Sequence, residues 1–595
     1  MGGTYMPTIN DLLEHWATEQ PSQPALTFLE DGEIPGEELT FLALANRARE
    51  IAAALREYGS VGDRVALIFP PEGLEFAKAF LGCFYAGVIP VPISPPLPRE
   101  PNMGLDRTGG ILRVSEPKCL VTTSGIAEIA GPLLSQMGNL PILSSDAVEG
   151  TSRVEEIYRP RGSDIAFLQF TSGSTGMPRG VCVTHENLVA NDKVIAENYG
   201  IDATGSILNW LPLYHDMGLI GHLLQAIYSG SRLFLMSPVD FLRDPSRWVR
   251  AVSKYQVNFG GGPNFSLDLC VRKTPAAVRD ELDLSSWKAL QLGGEPVRAA
   301  SVRRFLDYFG PAGLHPATVA PCYGLAEATL YVCGGRPSGE PARVGDFSRN
   351  DLEEGRHSRV EGEGSTIPLV SMGTVAEGHN IHILKPNSLE RVKGNEVGEI
   401  CIAGPSVTAG YWGDRDATAK CFIEFEGERV LRSGDLGFLE GGCLYVTGRI
   451  KDLIIVQGRN LYPQDLETIA ESATDGVRPG CSAAFGLDTE SSQKAVIVVE
   501  VERRKLDTKR PSIPPPGVQE RRSDSPPLLD GFEPKKQGHG EAARRAIERA
   551  LFDAFSVAAT VVTVAPGNVP KTSSGKVQRG KARSLWKEGR LTLVD

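Results

Sequence analysis

Apolar residues along this chain switch between two spacings, and the switches mark out elements. Residues 8–58 read as a helix, a short hairpin and a second helix. In the second, Phe41 to Tyr58, the residues Leu42, Leu44, Ala45, Ile51, Ala52 and Leu55 recur at helical spacing. Asp63 to Phe69 reads as a buried strand through Val65, Leu67, Ile68 and Phe69. Glu75 to Ala86 reads as a helix, and Val88 to Ile93 as a strand broken by prolines. Apolar runs at Cys119 to Thr122, Ile165 to Phe170, Arg232 to Phe234 and Ala289 to Leu292 continue the alternation. Strand after helix in this manner predicts an α/β fold with a mainly parallel sheet covered on both faces. After about residue 340 glycine and short β-rich pieces take over, as in Asn380 to Leu384, Glu399 to Ile402 and Cys443 to Val446, which predicts a small β-rich subdomain. Ser338 to Pro368 is polar, charged and weakly periodic. Arg503 to Gly540, rich in charge and proline, is expected to be a disordered insertion between a strand (Ala495 to Val501) and a helix (Ala542 to Phe555).

The chemistry concentrates first in Leu168-Gln169-Phe170-Thr171-Ser172-Gly173-Ser174-Thr175-Gly176-Met177-Pro178-Arg179-Gly180. An apolar run enters it and Val181-Cys182-Val183 leaves, before Thr184-His185-Glu186-Asn187 caps a helix. Hydroxyls and backbone N–H groups on a glycine-rich loop donate to anionic oxygens, and Arg179 adds a fixed cation. The loop reads as a phosphate cradle; the plain alternative is a flexible surface turn. It is not a Walker loop, because Pro178-Arg179 stand where that pattern has Gly-Lys.

Four further stretches carry reactive residues. Asn209 to Gly221 delivers Tyr214-His215-Asp216, either a substrate-side imidazole or a capping turn with Asp216 as N-cap. Leu290-Gln291-Leu292-Gly293-Gly294-Glu295-Pro296 ends a strand, where open α/β sheets bind ligands. Tyr323-Gly324-Leu325-Ala326-Glu327-Ala328-Thr329 offers a ring able to lie on a purine and a hard oxygen ligand for Mg²⁺; without context Glu327 reads as a solvated helix residue. Asp435 sits in Arg432-Ser433-Gly434-Asp435-Leu436-Gly437, where it accepts two ribose hydroxyls or merely forms a β-turn.

Composition removes several classes. A net charge of -11 argues against nucleic-acid binding. No apolar run is long enough to span a membrane, and Met1 to Pro7 has neither the basic start of a signal peptide nor a myristoylation pattern. Ten cysteines without a CxxC pair read as reduced thiols in a cytoplasmic protein, and nine histidines without HExxH spacing predict no structural zinc.

Taken in order across residues 40 to 580, these motifs resemble those of the adenylate-forming superfamily of acyl-CoA synthetases, luciferases and peptide-synthetase adenylation domains. Within it they are most similar to fatty acyl-AMP ligases: Leu211 to Gly221, Ala326 where many relatives have Thr, Asn460-Leu461-Tyr462-Pro463, the Ser94-Pro95-Pro96 turn and the Ser338–Pro368 segment. Arg179 stands where the superfamily usually has Lys. The resemblance implies a large N-terminal domain, residues 1–447, with two mixed sheets flanked by helices, the β-rich subdomain at 340–447 and a family insertion at 338–368. It implies a hinge at 448–452 carrying Lys451, then a smaller, mobile α+β lid at 453–595.

The implied reaction joins a medium- or long-chain fatty acid to AMP, with ATP and Mg²⁺ as cofactors. Acyl transfer then follows to the phosphopantetheine thiol of a separate acyl carrier protein or a synthase carrier domain, since no Asp-Ser-Leu attachment site is present. Acyl-CoA formation is the alternative; an amino-acid adenylation module and a non-catalytic binding protein fit less well. Thr171, Ser172, Gly173, Ser174, Thr175, Gly176 and Arg179 are implied to hold phosphate. Gly294, Glu295 and Pro296 face adenine with Tyr323, Gly324 and Ala326, and Asp435 and Arg449 meet the ribose. Glu327 holds the metal, His215 positions substrate, and Lys576, in Pro570-Lys571-Thr572-Ser573-Ser574-Gly575-Lys576, is the catalytic lysine. His215 is not a general base, because a carboxylate substrate is already ionised near neutral pH.

Overall fold

Short polar side chains decide where the first helices start. Thr8 and Asp11 form a reciprocal capping box for the helix Ile9–Glu19, and Thr184 and Asn187 form another for His185–Tyr199. Thr40 accepts from the Ala43 amide at 3.2 Å and starts Phe41–Leu55. Each cap satisfies amides that a helix leaves unpaired in its first turn. A computed structural model describes residues 7–95, 101–134, 140–148, 150, 153–171, 178–335, 339–361, 365–488, 493–502, 539–572 and 575–594. The expected insertion at 503–540 lies, but for its last two residues, outside these.

The chain divides into two compact units, Met1–Thr447 and Gly448–Asp595. The first is built on a fourteen-stranded mixed sheet. One half is parallel: Pro24–Glu30, Arg232–Met236, Ser206–Asn209, Phe259–Gly262, Ala289–Leu292 and Val319–Tyr323 pair in that spatial order. Parallel strands share a direction, so the segments leaving Asn209, Gly262, Leu292 and Tyr323 emerge at one edge. From Val319–Tyr323 the sheet turns antiparallel through Cys333–Gly334 and Thr374–Val375 into Cys443–Arg449, Glu428–Glu440, Gly398–Ala403 and Asn380–Leu384. The β-rich pieces thus continue the main sheet. A second sheet, Ile89–Ile93, Arg64–Ile68, Cys119–Thr122 and Ile142–Ser144, is parallel throughout rather than mixed. Its prolines fall on the strand Ile89–Ile93, which among the described residues ends the pairing order beside Arg64–Ile68, a position where a missing N–H is tolerated.

The segment read as polar and weakly periodic, 338–368, contains most of a hairpin, Val344–Ser348 against Thr366–Val370, with the helix Arg349–Glu353 between; residues 338 and 362–364 lie outside the described residues. One aromatic anchors it. The Phe347 ring packs edge-on against Phe438 and Tyr445 at 5.1 and 5.2 Å, and His357 stacks on Phe438 at 3.9 Å.

The second unit is α+β. Val477–Asp488 pairs antiparallel with Gln493–Val501, which pairs parallel with Thr560–Val564. Pro463–Ser472 and His539–Phe555 cover one face through Leu466, Ala470, Ile547 and Leu551. Arg579–Lys587 lies against the other through Ala582. Among the described residues no helix is long and apolar enough to cross a membrane, and all ten cysteines are free thiols.

Four imidazoles in the first unit are buried, those of His185, His222, His379 and His382. Burial pushes both His185 and His222 down to about 4, against about 6.5 in an open chain. The unfolded chain therefore binds more protons than the folded one as pH falls from about 6.5 to about 4. Their contribution to stability is whole above that window and is lost across it, by up to about 3 kcal/mol each. His185→Gln is expected to show a smaller drop in unfolding midpoint than the parent between about pH 7 and pH 5; an identical drop would refute the burial argument.

Candidate active site

The strand Ile165–Thr171 pairs antiparallel with Arg179–Thr184, ending in the register Thr171↔Arg179. The glycine-rich stretch is thus the connection of a hairpin, not the strand-to-helix turn of a Walker loop. Ser172, Gly173, Ser174, Thr175 and Gly176 lie outside the described residues, so the structure speaks for its two ends. Arg179 at the exit runs over the Tyr411 ring, its guanidinium carbon 5.4 Å from the centroid, and its Nε lies 3.7 Å from Asp414. Gln169 donates to the Tyr214 carbonyl at 3.0 Å, tying the hairpin to the segment that carries His215.

His215 itself is the N-cap of the short helix Asp216–Gly218, the place expected for Asp216. Asp216 is one residue further in, and its carboxylate accepts from the Met217 amide at 2.8 Å. The half-buried His215 ring sits 5.0 Å from that of Tyr214.

Gly294 and Pro296, leaving Ala289–Leu292, are exposed, and Gly294 takes a φ of +78°. Glu295 does not present its whole carboxylate there. It accepts from the Phe265 amide at 2.7 Å, at the start of the helix Asn264–Lys273, a stabilising place for an acidic group.

The neighbouring strand Val319–Tyr323 leads into the tightest turn of the site. A Cβ at Gly324 would lie 1.6 Å from the Leu330 carbonyl oxygen, so no other residue fits. Ala326 and Glu327 stand on a single 3₁₀ turn, Ala326–Ala328. Thr329 follows with φ 68° and ψ -67°, and the Leu330 amide donates back to the Ala328 carbonyl at 2.8 Å. This is a γ-turn of the strained hand, unusual for a β-branched residue. A second segment clamps it. The Thr408 amide and hydroxyl both donate to the Glu327 carbonyl, at 3.0 and 2.9 Å, and Thr329 Oγ1 donates to the Ser406 carbonyl at 2.7 Å. Arg429 in turn donates to the carbonyls of Thr408 and Ala409 at 2.7 and 2.9 Å. The Glu327 side chain is half-buried rather than solvated, and its Oε1 accepts from the Tyr411 hydroxyl at 2.8 Å.

Tyr323 and Asp435 meet: the phenol donates to Asp435 Oδ2 at 2.9 Å and both are buried. Asp435 is not in a β-turn. It lies within the long strand Glu428–Glu440, kinked by Gly434 at φ +73°. Buried Glu399 fixes the kink, accepting from Arg432 Nε at 2.9 Å and from the Gly434 amide at 3.2 Å.

The remaining expected residues belong to the second unit. Arg449 ends the strand Cys443–Arg449, and Lys451 lies in the turn before Ile454–Val456. Lys576 lies on a tight hairpin in which its carbonyl accepts from the Thr572 amide at 2.7 Å and its amide donates to Thr572 Oγ1 at 3.0 Å. Arg579, three residues on, is half-buried, bound by two nitrogens to Glu467 at 2.7 Å and by the third to Asp452 at 3.2 Å. The lysine hairpin and the turn holding Lys451 are thereby fastened to each other within this unit. Sequence reading missed Tyr411, Thr408 and Arg429. The only local signal is the Gly410-Tyr411-Trp412-Gly413 cluster, which does not say what the phenol touches.

A family model described as AMP-binding enzyme matches residues 13–412. The chain is 35% identical over 98% of its length, and 96% of the relative's, to the medium-chain-fatty-acid–[acyl-carrier-protein] ligase JamA of Moorena producens. It is 33% identical, over 98% of both chains, to the putative fatty-acid–CoA ligase fadD25 of Mycobacterium tuberculosis. Among solved structures, the fatty acyl-adenylate ligase from L. pneumophila in complex with acyl adenylate and pyrophosphate matches with a TM-score of 0.73 at 32% identity, covering 98% of this chain and 97% of that one.

Gly324→Ala is expected to destabilise the protein by at least about 2 kcal/mol in denaturant unfolding, since backbone must move to admit the methyl. Parental stability would show that the turn is looser than described.

Proposed function

The chain belongs to the AMP-binding enzyme family and is a fatty-acid-adenylating ligase, and from that premise we propose that its acyl-adenylate passes to the phosphopantetheine thiol of a separate acyl carrier protein. The supporting observation is full-length similarity to a relative named for that acceptor. A second reading, acyl-CoA formation, is supported by the relative named as a putative CoA ligase.

In the first step a carboxylate oxygen attacks the α-phosphorus of ATP. A new P–O bond forms, the bond to the bridging oxygen breaks, and pyrophosphate leaves with the electron pair. Two anions must approach, so fixed positive charge decides the rate. We assign Arg179 and Lys576 to that task, with Thr171 and the stretch Ser172 to Gly176 as hydrogen-bond donors to phosphate. His215 positions the carboxylate end of the substrate. Tyr323, Gly324 and Ala326 with Gly294, Glu295 and Pro296 surround adenine, and Asp435 and Arg449 accept and donate at the ribose. Lys451 is the proposed hinge, through which the second unit carries Lys576.

Glu327 fits a magnesium ion. It is a lone half-buried carboxylate with one oxygen held by Tyr411, and the described residues contain no cluster of three metal-binding side chains. Mg²⁺ suits such a place because it keeps several waters and completes its shell with substrate phosphate. When bound it supplies charge against the phosphate oxygens.

Lys576→Ala is expected to lower fatty-acid-dependent pyrophosphate exchange by roughly 10²–10³-fold while ATP binding persists; exchange near the parental rate would contradict the assignment. Incubation with ATP, Mg²⁺ and dodecanoate, followed by CoA or a holo carrier protein, tests the acceptor. The dodecanoyl thioester of the carrier protein, with AMP released, is the expected product, and rapid dodecanoyl-CoA formation would reverse the choice.

A further inference from the structure

We propose that Tyr411 is a positioning residue for Glu327: its hydroxyl fixes one carboxylate oxygen so that the other faces the metal, an inference that rests on Glu327 being the metal's protein ligand. Tyr411 lies outside the motifs that identify the site. Its backbone belongs to a short segment stitched to the exit strand of the glycine-rich hairpin. The Cys182 amide donates to the Gly410 carbonyl at 2.9 Å, the Trp412 amide to the Gly180 carbonyl at 2.7 Å, and Val181 and Tyr411 form an isolated antiparallel bridge. Thr418 Oγ1 accepts from the Tyr411 amide at 3.0 Å. The residue is therefore fixed at its main chain to the hairpin, while its side chain reaches the other strand-end turn of the site.

The hydroxyl-to-carboxylate distance is 2.8 Å. A phenol is protonated near neutral pH and a carboxylate oxygen can only accept, so the hydroxyl is the donor. Among the described residues Glu327 Oε2 has no hydrogen-bond partner. A carboxylate with one oxygen held and one open is oriented before the metal arrives. Arg179 presses on the same ring from the hairpin side, with Asp414 beyond it. The planar guanidinium lies against a phenol face better than an ammonium does. This gives the arginine at this position a use other than phosphate contact alone: it holds the ring that holds Glu327.

The test is a titration of the full chain with Mn²⁺, followed by electron paramagnetic resonance, in the presence of α,β-methylene-ATP. Tyr411→Phe removes only the hydroxyl and keeps the ring beneath Arg179. The expected result is an increase in the Mn²⁺ dissociation constant of about 10-fold or more, with an unchanged thermal unfolding midpoint. A tyrosine that merely packs would leave metal affinity within twofold of the parent, and that result would overturn the inference. Glu327→Gln separates the two layers of argument. Weakened Mn²⁺ binding in Glu327→Gln with parental binding in Tyr411→Phe would overturn this inference alone. Parental binding in Glu327→Gln would overturn the metal assignment and this inference with it.

Discussion

One clamped turn sets the geometry of the first unit's candidate site. Between Tyr323 and Leu330 the backbone passes through a glycine with no room for a side chain and a threonine at φ 68°. Left alone, such a threonine costs about 1–3 kcal/mol. Three hydrogen bonds from Thr329 and Thr408 hold it, and Arg429 holds Thr408 in turn. At about 1 kcal/mol net for each bond, the clamp is enough to offset the strain. The product of that balance is a fixed main-chain position for Glu327, whose carboxylate is then held by Tyr411.

Around the turn the parallel half of the large sheet does the gathering. Because its strands share a direction, the segments beginning at Asn209, Leu292 and Tyr323 leave the same edge. The glycine-rich hairpin reaches them through Gln169, which donates to the Tyr214 carbonyl, and through the segment bridged to its exit strand, whose Tyr411 donates to Glu327. In the second unit Arg579 has the comparable place, joining the Lys576 hairpin to Asp452 beside Lys451. Glu467 in that cluster is buried, so removing Arg579 would strand its charge.

Much of this was legible in the sequence, for a physical reason: strands and helices are written in local spacing. The runs Cys119–Thr122, Ala289–Leu292 and Asn380–Leu384 and the helix Glu75–Ala86 stand where the alternation of apolar residues places them. The motifs were legible because each is contiguous. What escaped depends on partners far along the chain. The Tyr411–Glu327 bond joins residues 84 apart, and nothing near Tyr411 announces it. Asp435 looked like a turn because Gly434 precedes it, yet buried Glu399 on the neighbouring strand keeps the glycine inside a strand. The 338–368 segment shows little periodicity because its hairpin is anchored through the ring of Phe347 rather than through a repeating apolar face.

The account's central claim is chemical: a carboxylate oxygen becomes part of AMP. It is tested most directly with dodecanoate bearing ¹⁸O in both carboxyl oxygens, incubated with the full chain, ATP and Mg²⁺ and quenched with hydroxylamine. Mass spectrometry should find one ¹⁸O in AMP, none in pyrophosphate, and dodecanoyl hydroxamate. Unlabelled AMP, or ADP and phosphate in its place, would contradict attack on the α-phosphorus.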